Sequence, residues 1–281
     1  MQQPRWEQYA SITVDDVNRF LNHFGDPFSI LGMHALTERN AMAIRVFHPT
    51  AYIVRGRNKV TNQDLEFIRL GDTGFFEYIA ENCSDYFPYE LTIFTSASKH
   101  YTIHDPYCLL PVLGDLDLHL IGQGTHYQLD KVLGGNLREH QGVHGALFAV
   151  WAPSARGVSV VGDFNNWDGR IHRMRPRGTS GVWELFIPGL QQGDLYKYEI
   201  FAQDGRLLNK LDPVGRFSEL RPRLGNVLWK RDNFIWNDSE WLQQRAKNSI
   251  YNRPMSIYEV HAGSWKNESG NDFSSWEQLA K

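Results

Sequence analysis

Cysteine is scarce in this chain: Cys83 and Cys108 are the only two among 281 residues. Two thiols cannot build the disulfide framework of a small secreted domain, so a reducing compartment, the cytoplasm, is the expectation. A charged-then-apolar leader is missing, and no apolar run approaches membrane-spanning length. Charge of one sign is missing as well. The 29 Lys and Arg against 32 Asp and Glu leave a formal net charge of −3, which gives no electrostatic case for nucleic acid or an anionic membrane as a partner. No Cys/His cluster at metal-ligand spacing completes a site, so no metal site is expected. Aromatic residues, by contrast, are plentiful, with nine Trp, 12 Tyr and 16 Phe. They suit sandwich cores or flat stacking platforms, and 281 residues can hold two ordinary domains.

Residues 13–24 read as a helix, with Thr13 at the N-cap, Asp15 and Asp16 in the first turn, and Val14, Val17, Leu21 and Phe24 as its apolar stripe. Gly25-Asp26-Pro27 stops it. Short alternating runs follow, separated by Gly, Pro, Asn and Asp, the pattern of a β-sandwich. The chain also repeats itself. Ile44-Arg45-Val46-Phe47-His48-Pro49 resembles Phe148-Ala149-Val150-Trp151-Ala152-Pro153 at an offset of 104 (153 − 49). Gly74-Phe75-Phe76-Glu77 resembles Gly181-Val182-Trp183-Glu184 at 107 (184 − 77). Tyr89 to Phe94 resembles Tyr196 to Phe201, and His104-Asp105-Pro106 resembles Leu211-Asp212-Pro213, both at 107 again (201 − 94 and 213 − 106). Two related sandwiches in tandem are therefore expected. Between them Asp115-Leu116-Asp117-Leu118-His119-Leu120 alternates as a half-buried strand would. Near the end a helix is expected over Ser239 to Lys247. Met255-Ser256-Ile257-Tyr258-Glu259-Val260 then reads as a strand, and Ser274-Ser275-Trp276-Glu277 opens a capping-box helix. A strand followed by a helix is the first unit of a β/α domain.

The copies differ at one loop. Where the first has Tyr52-Ile53-Val54-Arg55-Gly56, the second runs from Val158 through Gly162-Asp163-Phe164-Asn165-Asn166-Trp167-Asp168. An indole among amide side chains suits a sugar, because its face covers C–H groups while amides bond hydroxyls. Trp167 is thus the lead candidate for stacking on an α-glucan, and the second copy is expected to bind while the first packs. Trp151 and Trp183 lie in strand patterns and read as core. Arg170, Arg173, Arg175 and Arg177 read as a solvated hairpin. Asp115, Asp117 and His119 read as a solvated strand face, not a metal site.

These residues resemble a known family, the bacterial glycogen (1,4-α-glucan) branching enzymes. The carriers are Asp26-Pro27-Phe28-Ser29-Ile30-Leu31-Gly32-Met33-His34, Phe148 to Pro153, Val160 to Arg170, Trp183-Glu184-Leu185-Phe186-Ile187-Pro188-Gly189 and Tyr258-Glu259-Val260-His261-x-Gly263-Ser264-Trp265. The resemblance implies a mainly β chain: two tandem immunoglobulin-like β-sandwiches followed by the first β/α unit of an incomplete TIM barrel. Its implied divisions are an N-terminal sandwich with a leading helix over 1–112, a connector over 113–137, a starch-binding-like sandwich over 138–232, a linker over 233–255 and the start of a (β/α)₈ barrel over 256–281. It adds Lys197, which matches a lysine on glucan hydroxyls, and Asn226, near a polar binding position. Gly205-Arg206-Leu207 lacks a second tryptophan that some relatives carry. An intact relative would transfer α-1,4-glucan chains to 6-hydroxyls by retaining two-carboxylate chemistry, with no cofactor. Its catalytic carboxylates lie on later barrel strands, so no catalytic residue is assigned, Glu259 and His261 included. The chain is expected to be inactive alone, its partners being α-glucan and the rest of the barrel. A stand-alone glycan-binding module, or part of a related debranching or trehalose-forming enzyme, is the alternative.

Overall fold

The computed structural model describes residues 5–22, 25–230, 235–265 and 275–280. Helix α1 (Val14–Leu21) opens with the expected cap: the Thr13 hydroxyl accepts the Asp16 N–H at 3.2 Å and the Asp16 carboxylate accepts the Thr13 N–H at 3.0 Å. It buries Val17 and Phe20; Phe24 of the predicted stripe lies outside the described residues.

Eight strands follow: β1 (Gly32–Leu36), β2 (Ala41–Phe47), β3 (Ile53–Asn58), β4 (Asp64–Glu66), β5 (Ile68–Arg69), β6 (Phe75–Glu81), β7 (Tyr89–Phe94) and β8 (His100–Ile103). They form two antiparallel sheets, ordered β1-β2-β6-β5 and β4-β3-β7-β8. Met42, Ile44 and Phe76 of the first meet Val54, Leu91 and Ile93 of the second in one core. Strand β3 alternates exposed and buried as a half-buried strand must. Strand β2 is buried at all seven positions. Its other face is covered by Trp6, Val17 and Phe20, which pack with Phe47 and Phe75.

Helices α2 (Asp115–Gln123) and α3 (Leu129–Val132) lead to β9 (Gly134–His140), β10 (Val143–Trp151), β11 (Ala155–Gly162), β12 (Arg175–Pro176), β13 (Val182–Pro188), β14 (Leu195–Ala202), β15 (Leu207–Lys210), β16 (Phe217–Ser218) and β17 (Asn226–Val227). The sheets are β9-β10-β13-β12 and β11-β14-β17-β16, with β15 also on β14. The order β9-β10-β13-β12 repeats β1-β2-β6-β5, and β11-β14-β15 repeats β3-β7-β8, so the sequence repeat is a repeat of topology. Phe148, Leu185 and Trp183 face Val158, Val160, Tyr196 and Tyr198 across the second core.

The run from Asp115 to Leu120 is not a strand; it is the first part of α2. The Asp117 carboxylate accepts the Gly114 N–H at one end, and Gly124 closes the other in the left-handed region at φ 69°. Leu118 and Ile121, three apart, pack toward Leu113, Leu147 and Phe186, while Leu116 is exposed. Six alternating residues cannot separate a strand from a helix that buries only every third position. Asp115, Asp117 and His119 therefore share no strand face, and Asp117 Oδ1 lies 3.0 Å from His126 Nε2.

The chain divides into two units, Met1–Lys230 and Arg231–Lys281. In the second, α4 (Ser239–Lys247) spans the predicted range. Helix α5 (Trp276–Leu279) carries the expected capping box between Ser275 and Gln278. The strand expected over residues 255–260 is not formed. Ile257 is 82% exposed, and a run that buries neither alternate face nor pairs with an edge gains nothing from being a strand. Of the expected β/α unit, the helix is present and the strand is not. No helix among the described residues is long and apolar enough to cross a membrane.

Candidate functional site

Strand β11 ends at Gly162, where a Cβ would lie 2.1 Å from the Leu195 carbonyl oxygen, so only glycine fits. The chain then makes a short 3₁₀ turn, Asp163–Asn165. Asn165 is buried and organises it. Its Oδ1 accepts the Gly162 N–H at 3.0 Å, and its Nδ2 donates to the Val160 carbonyl at 2.9 Å and to His172 Nδ1 at 3.0 Å. Asn166 and Trp167 both lie in the left-handed region, at φ 54° and 59°. Asparagine tolerates it, but for a tryptophan it is strained by ~1–3 kcal/mol and needs support. That comes from the Trp167 N–H, donating to the Gly162 carbonyl at 2.9 Å, and from the indole Nε1, donating to Asp163 Oδ1 at 2.7 Å. The ring is tethered by its edge, and the residue is 39% exposed.

Lys197 joins it. Pairing of Val161 with Lys197 and of Gly162 with Tyr196 sets Tyr196 into the core and Lys197 on the outward face, with its Nζ 5.8 Å from the Trp167 ring centroid. A flat apolar face and a cationic donor on one surface can stack on a pyranose ring and bond its hydroxyls. Beside them Asp168 accepts from Arg170 Nη2 at 2.7 Å, and that hydrogen bond holds its carboxyl below the usual range. Glu199 is pushed up, first by burial and then by the Asp168 charge. His172, behind the loop, is pushed down to about 3 by burial and then by nearby His48, so it stays neutral and accepts from Asn165.

Asn226, the third predicted residue, does not join them. It pairs with Tyr196 across β14 and β17, shares the inward face, is 2% exposed, and its Oδ1 accepts the Asp212 N–H at 2.7 Å. Its amide closes a buried turn. In the first copy Glu90 stands where Lys197 stands in the second, 107 residues earlier (197 − 90), and pairs with Lys59 at 2.9 Å.

The arginine stretch is not a solvated hairpin. Arg170 is exposed, but Arg173 is buried, donates to the Phe20 carbonyl and lies 4.2 Å over the Phe20 ring. Arg175 donates to the Leu109 carbonyl at 2.6 Å, and Arg177 donates to the Leu113 carbonyl at 2.7 Å while pairing with buried Glu184 at 2.8 Å. Three of the four rivet β12 and its approach to α1 and to the segment joining the sandwiches. Charge density alone could not show this, because the acceptors are backbone carbonyls more than 60 residues away. Trp151, expected in the core, is 58% exposed at the end of β10, whereas Trp183 is buried and donates to the Ala152 carbonyl. Sequence pattern alone marks neither Asp163 nor His172 as part of the site; the position of Asp163 four before Trp167 is its one local signal.

Residues 13–107 match the family described as "alpha-1,4-glucan branching enzyme GlgB, N-terminal domain", and residues 132–215 match "Carbohydrate-binding module 48 (Isoamylase N-terminal domain)". The chain is 45% identical over 260 residues to the 1,4-alpha-glucan branching enzyme GlgB of Roseobacter denitrificans, covering 91% of this chain and 35% of that protein. It is 40% identical over 288 residues to the enzyme of the same name from Cellvibrio japonicus, covering all of this chain and 38% of that protein. The chain thus spans about a third of the length of these curated relatives. With the GlgB N-terminal domain and a carbohydrate-binding module 48 in order along it, the chain corresponds to the N-terminal part of the 1,4-alpha-glucan branching enzymes GlgB that it matches.

Proposed function

We propose that this chain serves as the non-catalytic N-terminal part of a glycogen branching enzyme, and that its second sandwich holds α-glucan on the face bearing Trp167 and Lys197. The observation that carries this reading is the indole itself, tethered at its edge by Asp163, held by a strained backbone, and left open beside a lysine. Such strain persists where the surroundings enforce it, and it presents a rigid stacking face at little entropic cost. Trp167 stacks and Lys197 donates to sugar hydroxyls; Asn226 acts only as a buried support. The match to the GlgB N-terminal domain supports transfer of α-1,4-linked chains to 6-hydroxyls over a related debranching or trehalose-forming activity. The two sandwiches orient the polymer, and no residue of this chain is assigned a catalytic part. Affinity electrophoresis in gels with and without glycogen tests the binding. Glycogen should retard the wild-type chain and leave Trp167→Ala nearly unretarded, with unchanged mobility of the wild type the result that refutes the reading. In an iodine-spectrum assay the chain alone should show no branching.

A further inference from the structure

One platform leaves most of a polymer uncovered, and the same side of the sheet carries a pair of stacked rings. In the sheet ordered β11-β14-β17-β16, Leu195 pairs with Val227 and Val227 with Phe217, so these three share a face. Leu195 is two residues from Lys197 on β14, so that face is the outward one that carries the lysine. Phe217 stands on it at the edge strand, 48% exposed, and stacks on Trp229 with centroids 4.8 Å apart at 22°. Two residues along β14 and two strand spacings across put Phe217 roughly 12 Å from Lys197 by backbone geometry. Leu195 and Val227, both half-buried, floor the surface between them.

We propose that Phe217 and Trp229 form a second stacking platform for the α-glucan held at Trp167 and Lys197, an inference that rests on the reading above. The glucan crosses the sheet perpendicular to its strands, from the β11 loop to the β16 edge. The turn Gly205-Arg206-Leu207 supplies no indole; Trp229, just past β17, supplies one instead. A disaccharide fills one platform, and a longer chain engages both. The occupant is a glucan because this face lies on the same side of the sheet as Lys197, carries stacked rings at one end and has an apolar floor of Leu195 and Val227, as stacking on sugar rings requires.

Titration of the full chain with maltose and with maltoheptaose tests this. Trp167→Ala should weaken both ligands, whereas the double variant Phe217→Ala/Trp229→Leu should weaken maltoheptaose about 3- to 10-fold and leave maltose unchanged. Equal maltoheptaose affinity in the double variant, with the Trp167→Ala loss intact, overturns the second platform and leaves the first standing. A wild type that binds neither sugar overturns both. Should the double variant misfold, the indole N–H resonance of Trp229 in the wild type decides: a shift with maltoheptaose but not maltose supports the platform, and no shift refutes it. A dimer of the wild type that Phe217→Ala dissolves would assign this face to a second copy and also refute it.

Discussion

Tyr196 repeats Tyr89 at a distance of 107 residues (196 − 89): each hydroxyl donates to Oδ2 of an aspartate, Asp212 and Asp105, at 2.6 Å. Both aspartates also accept a backbone N–H two residues on, from Val214 and Tyr107. The duplicated scaffold thus keeps a buried polar clasp that closes each sandwich.

Removing either hydroxyl should cost ~1–3 kcal/mol of stability, since a buried carboxylate loses a donor. Tyr89→Phe should cost more than Tyr196→Phe, because Asp212 Oδ2 still accepts the Gly135 N–H at 3.0 Å, whereas the other donor to Asp105 serves Oδ1. Urea denaturation of the two variants gives the order.

Arg177→Ala should destabilise the chain by ~3–5 kcal/mol, because it takes the ion-pair partner from the buried Glu184 charge and leaves it only the Val112 and Leu113 N–H donors. Arg170→Ala, which breaks an exposed pair with Asp168, should cost less than ~1 kcal/mol. Equal effects in chemical denaturation would return the stretch to the solvated hairpin first expected.

Acidification should loosen the second sandwich through its histidine. The folded state holds His172 down at about 3 and His48 at about 4, both below 6.5, with burial the leading cause. The unfolded chain therefore binds more protons in this range, and the stabilisation is complete above about pH 6.5 and fades as pH falls toward 4 and 3. Asp105, raised by burial from 3.8 to about 6, works in the opposite direction and is stabilising only at low pH. Between pH 4 and 6 His172 and His48, with His34 also held down by burial, tilt unfolding midpoints downward as pH falls, against Asp105, Asp26 and Glu199, which burial raises. His172→Gln, which keeps an acceptor for Asn165, should flatten that slope by up to one proton, ~1.4 kcal/mol per pH unit.

Asn165→Ala should reduce glycogen retardation as Trp167→Ala does, although its amide is buried and meets no sugar. It leaves the Gly162 N–H and the Val160 carbonyl without the bonds that shape the turn, at a cost of ~1–3 kcal/mol. Full retardation in a folded Asn165→Ala chain would show that the loop holds Trp167 without it.

The duplication, the capped helices at Thr13 and Ser275, and the indole loop could all be read in sequence, because each rests on local chemistry or on spacing that the fold preserves. The repeat also implied that the two sandwiches share one plan, while the strand order itself came only with the fold. What escaped was set by distant partners. Arg173, Arg175 and Arg177 look solvated until the carbonyls of Phe20, Leu109 and Leu113 arrive. Asn226 looks like a surface amide until register turns it inward beside Tyr196. The Asp115–Leu120 alternation carried the wrong period, since the helix buries Leu118 and Ile121 and leaves Leu116 out.

The exchange of Lys197 for Glu90 between the two copies has a mechanical corollary. A tandem repeat that kept both faces receptive could bridge neighbouring polysaccharide strands and gum them together. On the reading proposed for Trp167 and Lys197, the acid at the matching place, paired with Lys59, would leave only one copy receptive, so that a large granule would be met in a single orientation.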